Sequence, residues 1–394
     1  MDDLRLGVAG LGLRASIALE AHRPGEGARV TAICDTDPAR HEWAREKFGA
    51  EVAVTADFAE LLASGIDAVL ILTPDDTHRA LGELALAAGV PTFMEKPLAI
   101  TVEDTDALLT LARKHAAKLY VGHNMRHMPV VRAMRDIIQN GEIGEVQAVW
   151  CRHFVGHGGD FYYKDWHADR RRTTGLLLQK GAHDIDVIHW LAGGATREVT
   201  AMGELKVYGR VTDRQEVEGT KREDWYRPET NWPPLSQKGL HPVVDVEDVS
   251  MMLMRLDNGV HASYQQCHFT PDYWRNYTVI GTEGRVENFG DTGGDAVVRV
   301  WNKGRRNYDG TGDKQVEIPR STGGHGGADT LLIDEFLRFV REGGVTDTSP
   351  VAARDSVAAG VYATLSLRNG AAPQTVPPVE ADLAAYFARG QREV

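Results

Sequence analysis

A chain of 394 residues with 42% hydrophobic and 25% charged side chains has room for two or three domains and an ordinary globular composition, which excludes a disordered, collagen-like or disulfide-stapled polypeptide. Its 44 Lys and Arg against 56 Asp and Glu leave a formal charge of -12, so the basic surplus of a nucleic-acid binder is missing. Cys34, Cys151 and Cys267 are too few and too widely spaced for a disulfide framework or a thiolate zinc site, which points to a reducing compartment. No basic segment leads into a long apolar stretch, and no run reaches the roughly 20 apolar residues that cross a bilayer. The expectation is a cytoplasmic protein without a nucleic-acid or membrane partner.

Residues 4–9 form a short apolar run, followed by Gly10-Leu11-Gly12-Leu13-Arg14-Ala15 and a helical pattern to His22: strand, glycine turn, helix. Gly10 suits the tight turn, Gly12 lets backbone approach a pyrophosphate, and Ala15 is small enough for close helix–strand packing. The phosphates would sit on the helix N-terminus, with Arg14 adding a charge-assisted contact. A second apolar strand over 30–34 ends at Asp35, placed to accept from an adenosine ribose diol and to repel a 2′-phosphate, which favours NAD over NADP. The same aspartate would also serve as a cap or turn residue ahead of Asp37-Pro38.

The alternation continues with a helix over 56–64, a strand over 68–72, a helix over 77–88 and a strand over 91–94. That order predicts a parallel, doubly wound α/β sheet. Thr73-Pro74-Asp75-Asp76-Thr77-His78 and Glu95-Lys96-Pro97 follow strand ends, where such sheets bind ligands. The cofactor contacts expected are thus Gly10, Gly12, Leu13, Arg14, Ala15, Asp35, Thr73, Pro74, His78, Glu95 and Lys96.

These motifs, above all Glu95-Lys96-Pro97, resemble the glucose-fructose oxidoreductase, inositol dehydrogenase and rhizopine-catabolism superfamily. Gly141-Glu142-Ile143-Gly144-Glu145-Val146, Lys180-Gly181-Ala182-His183-Asp184-Ile185-Asp186 and Gly281-Thr282-Glu283-Gly284 continue the likeness in order, so it covers most of the chain. The resemblance implies an NAD-binding Rossmann domain over residues 1–122 and an α+β substrate domain over 123–394 with a large open, mainly antiparallel sheet. It also implies a homodimer or homotetramer formed on one sheet face.

After a strand over 118–122 and a helix running to Asn140, strands are predicted at 146–154, 199–207, 249–256, 260–268, 277–281, 285–289 and 296–302, with Asp257-Asn258-Gly259 as a hairpin turn. Residues 210–241 show no periodicity; Pro228, Pro233 and Pro234 and the aromatics Trp225, Tyr226 and Trp232 read equally as a functional lid or a disordered insertion. Helical patterns close the chain at 331–341 and 351–366.

Oxidation of a secondary alcohol needs a base for the hydroxyl proton and a donor for the developing alkoxide. The resemblance gives Lys96 the alkoxide and His183 the acid/base role, the latter with an unperturbed pKa near 6.5 suited to proton exchange. Asp186, three residues after His183, falls near its helix face and would orient it. Gln179 departs from the family's aspartate; it cannot take a proton but can bond a hydroxyl. His153, His157, Trp166 and His167 suit substrate contacts, with Arg126 as a further candidate. A metal on His153, His157, Asp160 and His167 matches no zinc spacing, so no metal is expected. Three readings remain open: a dehydrogenase of a sugar, glycoside or cyclitol; a redox-neutral glycosidase that oxidises C3 transiently; and a non-catalytic NAD-binding sensor.

Overall fold

The computed structural model describes residues 2–216, 231–292, 294–320 and 323–393. The first third alternates strand and helix: β1 Leu4–Ala9, α1 Ala15–Ala21, β2 Ala28–Cys34, α2 Pro38–Phe48, β3 Ala53–Thr55, α3 Phe58–Ala63, β4 Ala68–Ile71, α4 His78–Ala87, β5 Thr92–Met94, α5 Val102–Lys114 and β6 Leu119–Val121. The strands form one parallel sheet in the order β3-β2-β1-β4-β5-β6. All residues of β4 and β5 are buried, as expected of strands covered on both faces. The order reverses between β1 and β4, so the turns after these strands flank the crevice where doubly wound sheets take ligands.

Two helices here, α2 and α5, were not anticipated, and α2 lacks an apolar stripe. The first, α2, buries only Ala44 and Phe48; it is started by Asp37, whose carboxylate accepts the Ala39 N–H at 2.9 Å, and by Pro38 in the first turn. Thr101 caps α5 in the same way, accepting from Asp104 N–H at 3.1 Å.

The chain continues through α6 Pro129–Gln139, β7 Val146–Phe154, four helices on one stretch (α7 Gly158–Tyr162, α8 Arg170–Thr173, α9 Leu176–Gln179, α10 Gly181–Ala192), and β8 Thr196–Glu204. Then come β9 Val249–Leu256, β10 His261–Cys267, β11 Trp274–Gly281, β12 Arg285–Phe289, β13 Val297–Trp301, β14 Lys314–Glu317, α11 Ala328–Glu342, α12 Pro350–Arg368, β15 Gln374–Thr375 and α13 Ala381–Ala388. These strands build a nine-stranded sheet, β14-β13-β12-β11-β7-β10-β9-β8-β15, antiparallel except where β7 meets β10. Along β9, Ser250, Met252, Met254 and Leu256 are buried while Met251, Leu253 and Arg255 are exposed, the period-two pattern of a sheet covered on one face. Helix α10 packs on the covered face across β7 and β10.

Strand β8 starts and ends three residues before its predicted position. The cause is Asp248, whose buried carboxylate accepts the N–H groups of Lys206, Val207 and Tyr208 at 2.7–2.8 Å and turns the chain out of the ladder. In the polar segment over 210–241, Trp225, Tyr226 and Pro228 lie outside the described residues. Its described ends are packed: Tyr208, Val211, Leu240 and Val246 form an apolar cluster with Tyr163, Ala168 and Leu176. Trp232 is exposed.

The chain divides into two compact units, Met1–Asn124 with Gly327–Arg354 and Val379–Val394, and Met125–Gly326 with Asp355–Pro378. The expected division near residue 122 is therefore only the first of several crossings. The reason is apolar surface. Leu332, Ile333, Phe336 and Phe339 of α11 fill the first unit's core; Phe336 meets Phe93 edge-on at 5.4 Å and Tyr120 at 5.6 Å. The Tyr120 hydroxyl donates to Glu335 at 2.8 Å. Phe336→Ala is expected to destabilise the first unit by about 3–5 kcal/mol, the cost of a buried aromatic cavity, although it lies far from the parallel sheet in sequence. Urea unfolding followed by Trp43 fluorescence measures this.

Candidate functional site

In the first unit, the turn after β1 is set by Gly10. Its φ is +85°, and a Cβ there would come within 2.9 Å of the Thr73 side chain. At Gly12 no described atom lies within 4 Å of a built Cβ, so protein packing does not demand glycine; the open space suits a close-lying ligand. Leu13 is exposed, and Ala15 opens α1. Asp35, at the end of β2, accepts Leu11 N–H on one oxygen at 2.8 Å and Asp37 N–H on the other at 2.9 Å. The carboxylate is thereby locked beside the glycine turn, and each oxygen retains acceptor capacity for a ribose hydroxyl. An open turn at a helix N-terminus, next to an oriented carboxylate, fits a dinucleotide without a 2′-phosphate.

Other expected contacts are placed differently. Arg14 points along the carboxyl edge of the sheet: its Nε donates to Glu95 at 2.5 Å, and its terminal nitrogens donate to Asp329 at 3.3 and 3.4 Å. Burial opposes its charge, but the two carboxylates outweigh that and hold its pKa above the ordinary arginine value. Glu95 is buried and accepts the Lys96 backbone N–H at 2.6 Å. Thr73 and Thr77 share a hydroxyl hydrogen bond of 2.6 Å, and Pro74 C=O accepts from Thr77 Oγ1 at 2.7 Å. His78, expected beside the cofactor, is wholly buried between the carbonyls of Pro97 (2.7 Å) and Thr73 (3.0 Å), where it braces two strand-end loops.

In the second unit, His183 sits in the first turn of α10 and is nearly buried, its ring 6.1 Å from that of His325. Gln179 is the last residue of α9, and Lys180 joins the two helices with its Nζ 5.9 Å from the Tyr162 ring centroid. Beside His183, Asp184 is fully buried and faces the sheet. It accepts from His153 Nδ1 of β7 at 2.9 Å and Tyr264 OH of β10 at 3.0 Å, and also from Tyr277 OH of β11; Arg275 Nε of β11 lies 3.0 Å away. Burial alone would raise its pKa, yet the Arg275 charge and the His153 contact hold it well below the carboxylate range. Burial, with the Arg275 charge, pushes His153 down to about 3.

Asp186 is held by the Arg126 guanidinium through two hydrogen bonds of 2.7 Å, and that guanidinium lies 5.5 Å from the Trp190 ring. Trp166 stacks on His167 at 3.8 Å and carries Arg172 at 5.6 Å. His167 bonds Asp165, and Asp160 takes Lys164 at 2.8 Å and Asn231 at 2.7 Å. His157 precedes α7 and is exposed. Among the described residues no three His, Cys, Asp or Glu side chains are grouped to hold a metal ion, and no helix is long and apolar enough to cross a membrane.

Comparison with known proteins decides the family. Residues 4–123 match the oxidoreductase family with an NAD-binding Rossmann fold, and 131–287 match the GFO/IDH/MocA C-terminal domain. The chain belongs to the GFO/IDH/MocA family. Its first domain is thus an NAD-binding Rossmann fold, and the chain is an oxidoreductase. A Bacillus subtilis (strain 168) protein named at the level of oxidoreductase, YteT, is 26% identical over 350 residues, 78% of this chain and 82% of its own length. The inositol 2-dehydrogenase of Rhizobium meliloti (strain 1021) is 33% identical over 210 residues, 53% of this chain and 61% of its own. A solved levoglucosan dehydrogenase, in complex with NADH and levoglucosan, shares the fold with a TM-score of 0.77 at 20% identity, covering 95% of this chain and all of that one.

For this family member, the residues that sequence reading missed are the supports. Asp184 stands in the recognised motif, but its sheet partners come from three distant strands. Asp329 gives no local signal, because its partner Arg14 is 315 residues away. Acid should weaken the second unit through the buried pair. The unfolded chain protonates His153 near pH 6.5, whereas the folded form resists until about 3, so stability falls as pH drops through that interval. Asp184, with its lowered folded pKa, adds a further loss as pH falls below about 4. Urea midpoints between pH 7.5 and 4.5 should decline steadily, and His153→Gln should flatten the slope.

Proposed function

We propose that the protein oxidises a secondary hydroxyl of a sugar, glycoside or cyclitol with NAD. The observation that carries the reading is the presentation of His183 on α10, whose neighbouring Asp184 is saturated by His153, Tyr264, Tyr277 and Arg275. That anion is compensated within the protein, so it leaves no net charge demanding a cationic substrate. The relatives named for inositol and levoglucosan support the same substrate class.

NAD, when bound, supplies the hydride acceptor. As the substrate C–H bond breaks with its electron pair, the hydroxyl proton passes to a ring nitrogen of His183 and the carbon–oxygen bond becomes a carbonyl. The ammonium of Lys96 stabilises the developing alkoxide. Glu95 fixes the Lys96 backbone, and Gln179, His153, His157, Trp166, His167, Arg126 and Asp186 supply or support substrate contacts. Gly10, Gly12, Leu13, Ala15, Asp35, Thr73 and Pro74 line the dinucleotide. Free thiols at Cys34, Cys151 and Cys267 support a reducing, cytoplasmic setting.

The outer face of the nine-stranded sheet supports self-association. Trp150, Met202, Met251 and Leu253 are each more than half exposed; Met202 pairs with Met251, and Leu253 and Trp150 flank Ser263 from the two neighbouring strands. Light scattering after size exclusion should give a dimer or tetramer, and Met251→Lys with Leu253→Glu should shift it towards monomer.

NADH absorbance across a panel of polyols and glycosides should reveal turnover, and Lys96→Met and His183→Ala should each lower kcat by roughly 100-fold or more. Full rates in both variants would remove the assigned roles. Glycoside cleavage without NADH accumulation, with solvent deuterium entering at C2, would replace net oxidation with redox-neutral hydrolysis. Tight NAD binding without any turnover would leave a sensor.

A further inference from the structure

We infer that Asp329 is a positioning residue for the nicotinamide half of the cofactor site, acting through Arg14 and Glu95. Arg14 stands at the start of α1, where a doubly wound fold places the pyrophosphate, and its sequence position suggests a phosphate clamp. Its fork is committed elsewhere. One edge donates to Glu95 and the other to Asp329, so two carboxylates share its charge. Glu95 in turn holds the Lys96 N–H at 2.6 Å, and Asp329 Oδ1 also takes the Asn124 side-chain amide at 2.6 Å.

These contacts tie together the turn after β1, the end of β5, the end of β6 and the first turn of α11. Both carboxylates are buried, Asp329 at 1% and Glu95 at 3% exposure, so the geometry is rigid and costly to break. In this fold the adenosine half of the dinucleotide lies over β2 and the nicotinamide half over the β4–β5 side. Asp329 therefore bears on the half that carries the reactive ring, by fixing the Glu95–Lys96 peptide. Asp35 and the glycine turn serve the other half.

Two ligands separate these halves: NAD, and ADP-ribose, which lacks nicotinamide. Calorimetric titration of Asp329→Asn should show NAD binding weakened about tenfold, the scale of one lost charged hydrogen bond, with ADP-ribose affinity within about twofold of the parent. Arg14→Lys, which keeps the charge but loses the fork, should repeat the pattern, and Asp329→Glu should restore most NAD affinity. Unchanged ADP-ribose binding also reports an intact domain; if Asp329→Asn fails to fold, Arg14→Lys carries the test. Equal losses for both ligands would overturn the inference and make Arg14 a phosphate clamp. Tighter binding of both in Asp329→Asn would overturn it too, as would no change in either. The readout is binding alone, so it stands apart from the dehydrogenase chemistry.

Discussion

The second unit is organised around one desolvated carboxylate. An isolated anion in a protein interior is so costly that it is tolerated only when surrounded by donors and positive charge, and Asp184 gathers these from three strands: His153 on β7, Tyr264 on β10, and Arg275 and Tyr277 on β11. Because Asp184 is part of α10, meeting its demands fixes that helix against the sheet in one rotation and one register. His183 is the preceding residue, so its place follows from its neighbour's electrostatics. A helix held by apolar contacts alone could slide by part of a turn at small cost; one held by three directional hydrogen bonds and an ion pair cannot.

The first unit solves a related problem with backbone geometry. Gly10 takes a φ that a side chain would resist, and Asp35 uses both oxygens on backbone N–H groups. Both devices shape a crevice before any ligand enters. The arrangement costs the protein little, since each polar group is satisfied by the turn it stabilises.

How much of this was legible depends on what each element is made of. Strands β1, β7, β9 and β12 lie where the sequence places them, because an apolar run or a strict alternation leaves little choice of bounds. Helix α2 was hidden: its Asp37-Pro38 start is clear in retrospect, but with two buried residues it shows no stripe. The edge strands β14 and β15 are short and partly exposed, and so look like loop. For the site, glycine spacing, the strand-end aspartate and the Glu95-Lys96-Pro97 and Lys180–Asp186 motifs each carry a signature of their own, and these are the regions on which the proposed function rests. The arginine in the glycine turn gives no local sign of its two carboxylate partners, Glu95 just after β5 and Asp329 in a helix more than 300 residues on. Local pattern identifies groups with their own signature; it does not reveal which distant group will satisfy them.

The first unit needs three separate stretches of chain, the last of them ending at Val394. Phe93 and Tyr120 are covered by Phe336 of α11, so the core beneath the parallel sheet closes only after residues 125–326 of the second unit have been made. The parallel-sheet unit therefore cannot complete its core from its first stretch of chain alone.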